Sequence, residues 1–226
     1  MTEISDRISI QVGLSGYSFR IESAGGSERS GWLGAESIFT VQQMQRRYSD
    51  VMITVFTPYC TLVPENFHKP ELSRELLEEV VELPEGASVD YVKVPEYNAV
   101  MLFSNAIGGT LHRVVSESVL RLDGTKAHPL PELYSMLKEV SSIPEYNRIV
   151  ASYMDGVLYL VISQGKTLLL CNAYSASDFT TAQYFIFHAM NKLQLNPEIS
   201  TIYFRTLLNE EQEMSLYRYF KSVDVL

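Results

Sequence analysis

Two tight turns, Met154-Asp155-Gly156 and Gln164-Gly165-Lys166, separate three apolar, β-branched runs: Arg148–Tyr153, Val157–Ser163 and Thr167–Asn172. Links this short allow only antiparallel neighbours, because parallel strands need a long crossover. Next comes Ser177–Leu193, in which Phe179, Ala182, Phe185, Ile186, Ala189, Met190 and Leu193 recur at helical spacing and form one apolar stripe. Ser177 or Asp178 is placed to cap the orphan amides at its start. A helix of that length spans ~25 Å, enough to carry the chain back along a sheet. Thr201–Phe204 is therefore predicted to lie parallel to and beside Arg148–Tyr153, through a right-handed crossover. Tyr203 and Phe204 should face opposite sides, so only one of them meets the helix. Glu210–Phe220 reads as a final helix and Asp224–Leu226 as a last short strand.

The order recurs earlier in the chain. Ile8–Val12, a turn at Gly13–Gly16, Tyr17–Ile21 and a short strand near Gly31–Gly34 precede a helical pattern over Ser37–Tyr48 and the strand Val51–Phe56. No residue-by-residue repeat accompanies it, so the echo is one of topology. Between the two copies lie a strand at Tyr59–Val63, a loop at Pro64–Pro70 and a helix at Glu71–Val81. The strands Asp90–Val94 and Val100–Ser104 flank the turn Pro95-Glu96-Tyr97-Asn98. A helix over Ile107–Val115, despite Gly108-Gly109, a strand at Val119–Leu122, a linker at Asp123–Pro131 and a helix at Leu133–Val140 complete the reading. The expected fold class is α/β with mixed sheets, in two lobes, 1–125 and 126–226.

Charge narrows the function. Eighteen basic against 27 acidic side chains leave a net charge of −9, a field that repels phosphate backbones. The densest basic spot is only Arg46-Arg47, so nucleic acid is not an expected partner. Cys60 and Cys171 sit in apolar, strand-like contexts and read as buried free thiols rather than a disulfide framework or zinc site. Met1–Asp6 is polar and acidic, unlike a signal peptide, and the longest apolar run, around Val157–Ile162, is too short to span a membrane. A cytoplasmic location without membrane insertion is the expectation.

Several segments carry a family resemblance: Val51–Pro64 (VMITVFTPYCTLVP), the helix over Glu71–Glu82, Val92–Asn98 (VKVPEYN) and the three-strand unit from Arg148 to Asn172. In these the chain resembles DUF3822, a family of uncharacterised bacterial, Bacteroidetes-type proteins. The duplicated order resembles the actin-like ATPase superfamily, whose lobes are ribonuclease H-like. That resemblance implies a duplicated ribonuclease H-like fold. It also implies kinship with cytoplasmic assembly proteins of type II secretion and type IV pilus machines, some of which have lost nucleotide chemistry. The superfamily uses an Asp-x-Gly turn in each lobe to organise phosphates and magnesium. Here the first turn reads Gln11-Val12-Gly13, with an amide in place of the acid. The second, Ser152-Tyr153-Met154-Asp155-Gly156, has bulky side chains where a phosphate needs backbone access. The place of the adenosine-binding glycine pair holds Phe204-Arg205-Thr206.

Other residues invite chemistry and have plainer readings. Asp155 and Asp123-Gly124-Thr125 read as turn formers. Lys166 lacks the glycine-rich span and Ser/Thr-led helix of a phosphate loop. His68, His112, His128 and His188 share no ligand spacing, and Ser15 and Ser118 sit in no nucleophile elbow. Tyr146, Tyr153, Tyr159, Tyr217 and Tyr219 suit either cross-strand packing, with Tyr153 stacking on Tyr159 across a turn, or an aromatic interface. The sequence thus assigns no catalytic, cofactor-binding or metal-binding residue and implies no cofactor. It admits a protein partner or a homo-oligomer. The leading functional reading is a non-catalytic scaffold or protein-interaction module of degenerate actin-like fold. The alternative is an atypical small-molecule or nucleotide-binding enzyme working in the interlobe cleft.

Overall fold

In the computed structural model, which describes residues 6–107 and 109–226, the elements follow the sequence closely. β1 (Arg7–Val12), β2 (Gly16–Ser23), β3 (Gly26–Arg29) and β4 (Leu33–Gly34) are followed by two 3-10 turns, then β5 (Arg47–Tyr48) and β6 (Asp50–Val55). β7 (Cys60–Pro64), α1 (Ser73–Glu78), β8 (Asp90–Val94) and β9 (Ala99–Phe103) come next. α2 (Leu111–Ser118), β10 (Leu120–Arg121), β11 (Leu130–Pro131) and α3 (Glu132–Val140) lead to the second half. There β12 (Asn147–Met154), β13 (Val157–Gln164), β14 (Thr167–Ser175), α4 (Phe179–Lys192), β15 (Thr201–Phe204), α5 (Glu210–Tyr217) and β16 (Ser222–Val225) close the chain. The expected acidic start, Met1–Ser5, and Gly108 of the glycine pair lie outside the described residues.

The chain divides into two units. One holds 6–57, Leu83–Ser88 and the described part of Ser104–Glu132; the other holds Pro58–Glu82, Val89–Phe103 and Leu133–Leu226. This differs from a single boundary at 125/126 in two respects: 58–82 and 89–103 group with the C-terminal residues, and 126–132 group with the N-terminal ones. The reason for the first is local, because β7 lies against β14.

The first unit is built on the sheet β11-β6-β1-β2-β3, with β4 also on β2. β1 pairs antiparallel with β2 and parallel with β6. Strand alternation puts Ile8, Ile10 and Val12 on one face, beside Ile21, Phe19 and Tyr17 of β2 and Val51, Ile53 and Val55 of β6. Ile38, Met44, Tyr48, Val115 and Val119 complete the core over that face. The helix expected over Ser37–Tyr48 is instead two 3-10 turns, Ala35–Phe39 and Gln42–Gln45, followed by β5. Ile38, Val41 and Met44 are spaced by three, which suits three residues per turn as well as an α-helix, and Val41 itself is extended (φ −77, ψ 115). The helix expected over Glu71–Val81 is likewise shorter, a 3-10 turn and then α1.

In the second unit the sheet runs β14-β13-β12-β15-β16. Asp155 (φ 52) and Gly156 (φ 74) form a two-residue turn that pairs Met154 with Val157. Two successive positive φ values define the hairpin turn whose twist matches its strands. β15 lies parallel to β12, with Ile149 opposite Ile202 and Ala151 opposite Phe204, as the crossover argument expected. Ile186, Ala189 and Met190 of α4 meet Ile202 and Phe204 in the core; Tyr203 is on the other face. Phe185 is partly buried and stacks on Tyr174 at 4.8 Å. Asp178 caps α4, accepting from the Thr181 amide at 2.7 Å, a bond worth ~1 kcal/mol. Asn209 and Gln212 form a reciprocal cap on α5. Tyr153 and Tyr159 do not stack on each other. The turn pairs Tyr153 with Leu158 and Ser152 with Tyr159, so the two rings fall on opposite faces, and Tyr153 packs on Phe179 instead at 5.6 Å. A smaller antiparallel sheet, β7-β9-β8, completes the unit around the fully buried β9.

Gly16 is fixed by space. A Cβ there would lie 2.1 Å from the Leu33 carbonyl oxygen and 2.8 Å from Trp32 Nε1. Gly16→Ala is expected to cost ~1–3 kcal/mol, as overpacking does, whereas Gly31→Ala, with nothing within 4 Å, changes stability far less. Urea unfolding of the two variants checks this.

Candidate binding groove

The face of the second sheet that carries Tyr203 is unusually polar for a buried surface. Register places Ser152, Tyr159 and Ser163 on it, each almost fully buried. Tyr203 Oη donates to Glu145 Oε1 at 2.7 Å. Arg205, 8% exposed, donates from Nε to Glu139 Oε2 of α3 at 2.7 Å. Its amide bonds the Ala151 carbonyl, and Thr206 Oγ1 accepts from the Tyr153 amide at 3.0 Å. Arg205 and Thr206 are thus committed to tying β12, β15 and α3 together.

Within the same unit an open groove of about 440 Å³ runs between the Val63–Pro64 end of β7, the turn before β9 and the β13–β14 hairpin. Leu62, Val63, Ala99 and Leu168 give it an apolar lining, joined by Tyr97, Asn98, Glu96 and Lys166. Sequence builds each wall. Pro95-Glu96-Tyr97 makes one 3-10 turn and Asn98 ends it in a left-handed conformation (φ 48) that Asn tolerates. Gly165, at φ 54, is the first of two loop residues between Gln164 and Thr167, leaving Lys166 at the tip. Arg148 Nη1 donates to the Gly165 carbonyl at 2.8 Å and its Nε to the Glu145 carbonyl at 2.9 Å, which anchors that tip.

Charges in the groove are unevenly matched. Glu96 is bonded to Lys138 Nζ at 2.6 Å, which holds its carboxyl below the usual range. Arg148 bonds two carbonyls, and Lys166 is exposed at the groove's rim. Burial raises the Tyr97 phenol although the positive charge of Arg148 acts in the opposite direction. Cys60 and Cys171 are both free thiols; Cys60 is buried as expected, whereas Cys171 is only half-buried. Burial pushes the Cys60 thiol up to about 12 and raises Cys171 as well, so neither is a thiolate at neutral pH.

The other singled-out residues are dispersed. Gln11 Oε1 accepts from Ser18 Oγ at 3.4 Å, and Gly13 bonds the Gly16 carbonyl. Asp123 accepts from the Thr125 amide and hydroxyl, which hold its carboxyl low. His68 bonds Ser73 Oγ at 3.0 Å and packs on Tyr91, while His188 stacks on Tyr184. His112 is buried on α2, where desolvation favours its neutral form. Ser15 gives its carbonyl to the Ala35 amide, and Ser118 ends α2. Among the described residues no three His, Cys, Asp or Glu side chains gather to hold a metal, and no helix is long and apolar enough to cross a membrane. The structure does unite two segments that the sequence left apart, Val92–Asn98 and the Lys166 turn. Asn98 in its turn and Lys166 at a hairpin tip were the available signals; their proximity was not.

The sheet orders and the mixed strand directions define an α/β chain with an actin-like ATPase fold. A protein of that fold and of unknown function from Bacteroides thetaiotaomicron VPI-5482 superposes with a TM-score of 0.71 over all of this chain and 94% of its own, at 15% identity. A chain of the PilM–PilN type IV pilus biogenesis complex matches at a TM-score of 0.51, 13% identity, over 97% of this chain and 88% of its own. The chain belongs to the family described as proteins of unknown function, DUF3822, whose model matches residues 34–223. No curated protein matches it.

Burial and the bond to Glu145 raise the Tyr203 phenol above its ordinary 10.0. A raised phenol binds its proton more tightly in the folded state. Its contribution is whole below pH 10 and is lost as pH rises towards the folded value. Wild type is expected to lose stability above pH 10 more steeply than Tyr203→Phe, read by urea unfolding across an alkaline series.

Proposed function

We propose that this chain is a non-catalytic protein-interaction module, a degenerate member of the actin-like fold built from two ribonuclease H-like lobes, and that the groove beside Lys166 receives its partner. The observation that carries this reading is the commitment of Arg205 and Thr206. Both are buried and bonded into the sheet, at the place where the ATPases keep open glycine backbone. The amide of Gln11 in the first turn and the tight Asp155-Gly156 hairpin support it, since neither offers the paired acids that a magnesium nucleotide needs. Strand order supports the duplication: β3-β2-β1-β6-β11 and β14-β13-β12-β15-β16 each run as an antiparallel meander followed by parallel additions. The likeness to a chain of the PilM–PilN complex supports a fold suited to holding a protein. The groove itself, apolar with few polar groups, has the make-up of a binding site.

Calorimetric titration with ATP and magnesium tests the reading. No binding tighter than ~10 μM, about 7 kcal/mol, is expected. Tight binding, or turnover of the nucleotide, would favour an enzyme.

A further inference from the structure

The contact between β7 and β14 carries a chemistry of its own. The two strands belong to different sheets: β7 pairs with β9 and β14 with β13. Their edges nevertheless lie against each other, with residues of one strand within 8 Å of the other, Cα to Cα. No ladder of main-chain bonds joins the two among the described residues. Side chains therefore hold this contact.

Two observations set how the strands align. Val63 and Pro64, at the end of β7, share a surface with Lys166 and Leu168, at the start of β14. Cys60, at the start of β7, lies near enough to Cys171 for the two thiols to act on each other electrostatically. β7 thus runs antiparallel alongside β14. The counting agrees: Cys60 is three residues before Val63, and Cys171 is three residues after Leu168. These are the chain's two cysteines, one on each edge, and neither is in a disulfide. A disulfide needs Cα atoms ~4.4–6.8 Å apart, a range that covers facing residues of neighbouring strands.

We infer that Cys60 and Cys171 form a reversible disulfide that staples the β7-β9-β8 sheet to the edge of β14 when the protein meets an oxidising thiol poise. This holds whatever the groove binds. The oxidant is a low-molecular-weight disulfide. The thiolate of Cys171, the half-buried member, attacks one of its sulfurs and releases one small thiol. The thiolate of Cys60 then attacks the Cys171 sulfur of the mixed disulfide and releases the second. Two protein thiols lose two electrons and two protons, and one small disulfide becomes two thiols. Burial raises both protein thiols, so little thiolate is present at neutral pH and the exchange is slow there. Such kinetics suit a staple set by a lasting change of redox poise rather than a rapid sensor. The bridge closes the long stretch from residue 60 to residue 171, and long loops restrain the unfolded chain most.

The test uses the full-length chain, reduced and then freed of reductant. It is incubated at pH 9 with oxidised glutathione and, in parallel, with diamide, quenched with acid, and read by intact mass and peptide mapping. The expected product is a monomer two hydrogen masses lighter, with the Cys60 and Cys171 peptides linked and the thiols restored by dithiothreitol. The bridged form should unfold at a higher urea concentration than the reduced form and exchange the amides of β7 more slowly. A chain that stops with glutathione on Cys171 would overturn the inference, because Cys60 would then be out of reach. Both thiols still reduced, or a disulfide joining two chains, would overturn it as well. So would a bridge that forms only in urea, since it would belong to the unfolded chain, or one that lowers the urea midpoint. Cys171→Ala should yield no lighter monomer. The decisive readings are made on the wild-type chain, so they stand even where a variant folds poorly, and none of them bears on the assignment of the groove.

Discussion

The second unit depends on two-residue turns. Once Asp155-Gly156 pairs Met154 with Val157, every residue of β12 and β13 is assigned a face, because a slip of one position would invert the whole set. Ile149, Ala151, Leu158, Leu160 and Ile162 then belong to the core under α4 and α5. The other positions, Ser152, Tyr159 and Ser163, are turned towards the opposite face. A bulge between Ile162 and Ser163 shifts the β14 register before the chain reaches Gly165-Lys166. The location of Lys166, and so the character of the groove, follows from the same register.

The polar face has a physical logic of its own. A buried hydroxyl or guanidinium costs free energy unless it is bonded, and α3 and the loop after it supply Glu139 and Glu145 to Arg205 and Tyr203. Such bonds add little net stability compared with apolar packing, but they are directional. They fix where α3 sits on the sheet. Apolar side chains in the same positions would cover as much area while leaving that helix freer to slide. The backbone after β15 is used here for bracing.

Legibility in the sequence tracked the range of the interactions. The β12–β13–β14 meander, the α4 stripe and the parallel return of β15 were readable because turn chemistry and side-chain period are local. Ser37–Tyr48 misled because Ile38, Val41 and Met44 satisfy two helical periods at once. Tyr153 and Tyr159 misled because their relation depends on whether a turn has two residues or three. The groove was not readable. Val63, Asn98 and Lys166 are ordinary residues well separated along the chain, and only the docking of β7 on β14 gives them a common surface.

That docking bears on how the protein is made. β7, α1, β8 and β9 leave a ribosome well before β14 exists, yet they belong to the unit that β14 completes. Domains generally fold as units from the N-terminus during synthesis, and this chain's order of elements denies the smaller sheet that convenience. Its buried strand β9 can pair at once with β7 and β8, but the surface of β7 that packs on β14 waits through the translation of the roughly sixty residues between Phe103 and Thr167. In that interval the surface of β7 that packs on β14 stays uncovered, a condition that favours association between nascent chains.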